Sequence, residues 1–134
     1  MTQRGSCLCG AVSFELSGKL RSVTACHCGQ CRKQSGHYWA ATSAADTGLR
    51  MIKDEGLTWF DASPTARRGF CKLCGSTLFW KPTGEDRTAV SAGALDLGSG
   101  LELTKHVHVA DKGDYYDLPD GLPQFDALSG EESA

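Results

Sequence analysis

The 134-residue sequence contains no apolar run near the roughly 18 residues needed to cross a bilayer as a helix. It has no excess of charge of either sign. Fourteen Lys and Arg against sixteen Asp and Glu leave −2 at neutral pH, which argues against nucleic acid or an anionic membrane as the main partner. The opening residues MTQRGSCLCG have no apolar core, so no secretory leader is expected and the reading is cytoplasmic. Proline is scarce, at four residues, which excludes a disordered Pro/Gly tract. There is no repeat of solenoid period, no linker dividing the chain, and no long stretch with the 3.6-residue period of an amphipathic helix.

What remains is a globular composition, 40% hydrophobic and 22% charged, in a chain long enough to bury roughly two-thirds of its unfolded surface. Glycine supplies 16 residues, well above the roughly 7% that is usual, and predicts many turns between short strands. Residues 11–16 alternate apolar and polar as a half-buried strand does. Further strands are expected at 22–25, 37–42, 49–52, 57–60, 76–80, 87–93 and 106–109. A hairpin turn is expected at 53–56, and one helical turn ending at Gly36. Residues 113–125 are expected to wrap the surface, and 129–134 to fray. The fold class that follows is mainly β.

Seven cysteines carry the chemistry. An odd number, without a leader, argues against a disulfide framework and for metal binding or thiol chemistry in a reducing compartment. They fall into three groups: Cys7-x-Cys9, Cys26-x-Cys28-x-x-Cys31 and Cys71-x-x-Cys74. Structural zinc takes four thiolate or imidazole ligands in a tetrahedron, and close pairs supply two ligands from one turn. The parsimonious partition puts Cys7, Cys9, Cys71 and Cys74 in one closed site, stapling a long loop. Cys26, Cys28 and Cys31 then form a second site whose fourth position stays open, as catalytic zinc requires. Two zinc ions per chain are expected. Alternatives remain at this point. All seven thiols could serve structure, His27 could close the triplet as its fourth ligand, or the triplet could contain a redox pair. His27 lies between two proposed ligands, where its side chain tends to point away.

Weaker candidates surround the triplet. Two are His27 as a proton shuttle and Arg32 with Lys33 as binders of a substrate carboxylate. His37 is a second possible shuttle. His106 and His108 are expected to pack on one face of a strand. Trp39, Trp59, Phe79 and Trp80 are expected in the core or at a pocket edge, and Asp96 in a turn.

Three segments, residues 5–12, 26–36 and 69–76, resemble the glutathione-dependent formaldehyde-activating family, to whose superfamily the centromere protein V-like domains also belong. They read GSCLCGAV, CHCGQCRKQSG and GFCKLCGS. The similarity continues through residues 91–96, the strand at 106–109 and the closing 120–125. It covers roughly residues 4–126 as a single domain, with 127–134 as a flexible tail. The resemblance implies a β-tent fold of small antiparallel sheets meeting around zinc. It implies a structural zinc on Cys7, Cys9, Cys71 and Cys74 and a catalytic zinc on Cys26, Cys28 and Cys31. It implies a carbon–sulfur lyase activity of the S-(hydroxymethyl)glutathione synthase type, with glutathione and formaldehyde as partners. A non-catalytic, zinc-stabilised binding module is the competing reading. Oligomeric state is not legible in the sequence.

Overall fold

The computed structural model describes residues 2–128; the fraying expected at 129–134 lies outside them. The domain is mainly β, as expected. Ten strands are described: β1 (Thr2–Ser6), β2 (Ser13–Ser17), β3 (Val23–Cys26), β4 (Trp39–Ala45), β5 (Leu49–Lys53), β6 (Leu57–Ser63), β7 (Ala66–Cys71), β8 (Thr77–Pro82), β9 (Arg87–Ser91) and β10 (Leu103–Val107). One short helix, α1 (Gly29–Ser35), stands between β3 and β4. It stops where Gly36 adopts φ 90° and returns its N–H to the Arg32 carbonyl, a left-handed cap that glycine takes without steric cost.

The strands form two sheets. The smaller has the order β1-β2-β5, and the larger β10-β3-β4-β9-β8-β7-β6. Neighbours are antiparallel except β10, which runs parallel to β3. The alternation read at 11–16 holds: Phe14 and Leu16 of β2 are buried while Ser13 and Glu15 are partly exposed. The ring of Phe14 meets Phe79 of β8 edge-on, with centroids 5.1 Å apart. These residues join Val12, Ala44, Leu78, Val90 and Leu95 in the main core. Each large side chain there contributes about 1.5–3 kcal/mol.

Several expectations change. The polar segment of β1 was not read as a strand, yet it pairs with β2 along its whole length. The turn at 53–56 is not a hairpin, because β5 pairs with β2 and β6 pairs with β7. Residues 54–56 instead carry the chain from one sheet to the other. Gly56 fixes that passage: its N–H bonds the Ala11 carbonyl at 3.2 Å and its carbonyl accepts from Lys72 N–H at 2.7 Å. The strand expected at 37–42 starts at Trp39, and the one expected at 106–109 ends at Val107. His108 has φ 55°, so His106 and His108 do not share a strand face. The segment after residue 113 wraps beside β10, where the His106 N–H bonds the Pro123 carbonyl and Phe125 N–H bonds His106, both at 2.9 Å.

Candidate metal centres and active-site cavity

Two matched turns build the four-cysteine group. After β1 the chain folds back through Cys7, Leu8 and Cys9, with Cys7 N–H bonded to Val12 and Gly10 N–H to Cys7. After β7 it does so through Cys71 to Cys74, with Gly75 N–H bonded to Cys71 and Cys71 N–H to Ser76. Gly10 and Gly75 close the two turns at φ 83° and 80°. All four sulfurs lie within 4.8 Å of one another. The Cys7–Cys9 and Cys9–Cys71 sulfur distances are both 3.7 Å. A tetrahedron with metal–sulfur bonds of about 2.3 Å has edges of about 3.8 Å, so these spacings fit a zinc-sized centre. Donors already point at the sulfurs: Val12 N–H at Cys7 Sγ, 3.2 Å, with the Ser76 hydroxyl 3.2 Å from Cys74 Sγ. The contacts from Ser76 hold the Cys74 thiol down to about 5. Cys7 and Cys71 are buried in the main core.

The three-cysteine group sits where β3 gives way to α1. Cys26 ends the strand, Cys28 caps the helix by accepting the Cys31 N–H at 3.3 Å, and Cys31 lies in the first turn. Their sulfurs also lie within 4.8 Å of one another. Among the described residues no His, Asp or Glu joins either cluster. Hydrogen bonds from Cys26 and then Cys31 push the Cys28 thiol down to about 2. The Cys26 thiol is pushed up, first by its contact with Cys28. Three crowded thiols therefore gather charge on one sulfur and protons on the others. A dication relieves that crowding. The donor set of both groups fits zinc.

The triplet opens onto a cavity of about 290 Å³, at the small end of the usual range for small-molecule sites. Cys26, Cys28 and Cys31 form part of its wall, together with Trp39 and Trp80, which pack in the same cluster. Buried Ala41 and Ala89 leave the space that larger residues would fill. Arg68 of β7 also lines it. Its side chain is only 3% exposed, with Nε bonded to Gln30 Oε1 at 2.8 Å and Nη2 to Cys31 Sγ at 3.2 Å. Sequence reasoning missed Arg68. Its neighbour Arg67 is exposed, as adjacent strand residues on opposite faces should be, but no local signal tells which of the two turns inward.

His27 is fully buried and points away from the sulfurs. Its Nδ1 meets the Tyr116 hydroxyl at 2.6 Å. Its Nε2 meets His106 Nδ1 at 2.8 Å, and His106 Nε2 meets Asp120 Oδ2 at 2.8 Å. A carboxylate only accepts, so His106 carries hydrogen on Nε2. With the rings neutral, His27 then donates from Nε2 and accepts the Tyr116 O–H at Nδ1. Burial, then the neighbouring His106, pushes His27 down to about 4, consistent with a neutral ring. The chain of four groups ties the Cys26–Cys28 loop to the C-terminal wrap.

The other candidates lie elsewhere. Arg32 and Lys33 lie on α1, and neither is in the cavity wall. His37 is exposed and bonded to the Tyr115 hydroxyl at 2.7 Å. His108 is in the cavity wall. Trp59 stacks on Phe79, and exposed Asp96 bonds its N–H to the Arg4 carbonyl. Of the expected tail, Ala127 accepts from His108 N–H and Leu128 lines the cavity.

A small β domain with one group of four thiols anchored in its core and one group of three beside a cavity defines a class: β domains whose clustered thiols could hold metal ions, with a candidate catalytic centre. Residues 2–111 match the glutathione-dependent formaldehyde-activating enzyme family, and the chain belongs to that family. It is 27% identical over 122 residues to a Schizosaccharomyces pombe protein named an uncharacterized lyase, a match covering 90% of this chain and 88% of the yeast one. Its fold is similar to that of a Rhodobacter sphaeroides protein of known crystal structure. That match has a TM-score of 0.59 and 22% identity, over 91% of this chain and 98% of the other.

Proposed function

We propose that this protein is a zinc-dependent carbon–sulfur lyase-type enzyme acting on a small thiol–aldehyde adduct, similar to S-(hydroxymethyl)glutathione synthase. The observation that carries the reading is three clustered sulfurs, without a fourth protein ligand among the described residues, in the wall of a cavity. Membership of the family and a relative named as a lyase support it. In this reading Cys7, Cys9, Cys71 and Cys74 hold a structural zinc, and Cys26, Cys28 and Cys31 a catalytic one.

Zinc with an open position, when bound, favours the thiolate of an incoming thiol or polarises a carbonyl oxygen. In the condensing direction a sulfur–carbon bond forms at the aldehyde carbon, and the thiol proton ends on the aldehyde oxygen. Cleavage reverses both. Arg68 steadies the Cys31 thiolate through Nη2. Trp39 and Trp80 exclude water beside the reacting atoms. His27, engaged at both ring nitrogens, acts as a positioning residue for the cysteine loop. Arg32 and Lys33, outside the cavity wall, have no part in this reading.

A second reading, a non-catalytic zinc-stabilised binding module, draws on Leu8 and Leu73. They stand 89% and 69% exposed on the two turns of the four-cysteine group. Native mass spectrometry of the reduced protein, with and without glutathione, separates the two. Two zinc ions per chain, one of them labile or altered by glutathione, are expected. One zinc, indifferent to glutathione, would overturn the catalytic reading in favour of the module.

A further inference from the structure

Among the described residues, one that is not glycine has a positive φ: His108, at φ 55° and ψ 37°. That conformation crowds any side chain with a Cβ, and glycine or asparagine usually takes it. Strained backbone of this kind is kept where the surroundings fix it, often at functional sites. A regular strand would carry residue 108 on the face of His106, toward His27 and Asp120. The left-handed turn instead brings His108 into the cavity wall along with Val107. β10 runs parallel to β3 with Val107 opposite Cys26, and the Val107 carbonyl accepts the His27 N–H at 3.0 Å. His108 therefore leaves its strand beside the point at which the cysteine loop leaves β3. It is half-buried. His27, His106 and His37 have their rings bonded to other side chains. The His108 ring has no hydrogen-bond partner among the described residues.

The reaction proposed above moves one proton from a thiol sulfur to an aldehyde oxygen. The cavity wall has few groups able to carry it. Among the described residues it contains no Asp, Glu, Lys or Tyr. Arg21, Arg68 and Arg87 line it, but a guanidinium does not give up its proton in a protein. Cys26, Cys28 and Cys31 are metal ligands in that reading. Histidine is the side chain that gives and takes a proton near neutral pH, and His108 is the one histidine of this wall.

We propose that His108 is the proton-transfer residue of the three-cysteine cavity. The proposal rests on the lyase reading and adds a catalytic residue to it. In the condensing direction the thiol proton passes to His108 as the sulfur–carbon bond forms, and the imidazolium returns it to the aldehyde oxygen. Nothing is oxidised or reduced, and the ring ends as it began. Cleavage runs the same transfers backwards.

Two measurements on the zinc-loaded protein test this. The first is NMR of nitrogen-labelled histidine rings as glutathione is added, with His108→Asn identifying the signal. The His108 ring is expected to shift toward the imidazolium pattern while His37 does not. The second is the exchange of glutathione and formaldehyde with their adduct, measured by saturation transfer above the spontaneous rate. His108→Asn keeps a residue that accepts positive φ and is expected to retain its zinc. Its kcat should fall at least about a hundredfold, the lower end for general acid–base catalysis, with the KM for glutathione within about twofold of wild type. Added imidazole should restore part of the rate to His108→Gly, which a merely structural role would not allow. His37→Gln should turn over as wild type does. If His108→Asn loses zinc, the wild-type ring signal and the rescue of His108→Gly carry the test. A ring that ignores bound glutathione, or a zinc-loaded His108→Asn that turns over as wild type does, overturns the proposal and leaves the lyase reading standing. A ring that takes the proton without faster exchange leaves His108 as proton acceptor and sinks the lyase reading. If glutathione does not bind, both fall.

Discussion

The two cysteine groups use the same ligand chemistry in opposite surroundings. Around the four-cysteine group the neighbours are large: Phe14, Leu16, Leu78 and Phe79 pack the core that includes Cys7 and Cys71. Around the three-cysteine group the buried neighbours are Trp39, Ala41 and Ala89, with Trp80 packed against them, and the same residues line a cavity. Thiolates supply affinity in both. One group is anchored in a packed core, with Cys9 at the surface, and the other borders a cavity.

Swapping a ligand in each group should therefore break the protein in different ways. Cys71→Ser removes a ligand from the centre of the core, where structural zinc contributes folding free energy outright, on the order of 10 kcal/mol in small zinc domains. The expected result is loss of the cooperative thermal transition by circular dichroism. Cys28→Ser should leave that transition within a few degrees of wild type while removing about one zinc per chain. Comparable unfolding in both would erase the distinction.

A methyl group sharpens the same contrast. A Cβ at Gly56 would stand 2.8 Å from Cys71 Sγ and 2.9 Å from Ala11 Cβ, closer than real contacts allow. Gly56→Ala is expected to cost about 3 kcal/mol, the upper end of ordinary overpacking, because the new methyl meets Cys71, Ala11 and Val12 at once. Chemical denaturation measures it. A loss below about 1 kcal/mol would show that the turn beneath the four-cysteine group yields. On the other side, Tyr116→Phe removes the donor to His27 Nδ1 and leaves a buried nitrogen unpaired, a loss of about 1–2 kcal/mol. Zinc in the triplet should then exchange faster with a chelator while the four-cysteine zinc does not. Equal exchange in variant and wild type would mean that the chain from Tyr116 to Asp120 does not hold the cysteine loop.

The cysteine spacings made both groups legible before any coordinates, since a ligand pair one or two residues apart is a local property. So was the end of α1 at Gly36, and so were most strands, β2 through alternation and others through β-branched and aromatic residues between turn signals. What escaped were features set by distant partners. Residues 2–6 form a strand only because β2 offers a complementary edge; their own pattern is polar. Residues 53–56 look like a hairpin turn, and only the docking of Gly56 against Ala11 and Lys72 sends the chain to another sheet. Of two adjacent arginines, the fold chose Arg68 for the cavity. His27, His106 and Asp120 are far apart in sequence, and nothing in their spacing joins them.

The smallest expected effect is a control remote from both groups. Asp46, following β4, takes the Thr88 hydroxyl on Oδ1 at 2.7 Å and the Lys81 ammonium on Oδ2 at 2.5 Å. Burial raises its carboxyl, but the bonds from Lys81 and Thr88 outweigh it and hold the group below its ordinary value. A carboxyl depressed in the folded state stabilises above its unfolded value, about 3.9, and that contribution is lost as pH falls through the lower folded value. Asp46 is 37% exposed, so water screens the pair and Asp46→Asn should cost on the order of 1 kcal/mol at most. Between pH 5 and 8 the carboxyl stays ionised in both states, so the gap between wild type and variant should not change. Thiolate protonation and metal loss on acidification act on both proteins alike and cancel in that difference. A gap that widens or closes between pH 5 and 8 would mean that Asp46 is coupled to a cysteine group, and the separation of the two metal environments from the rest of the sheet would have to be redrawn.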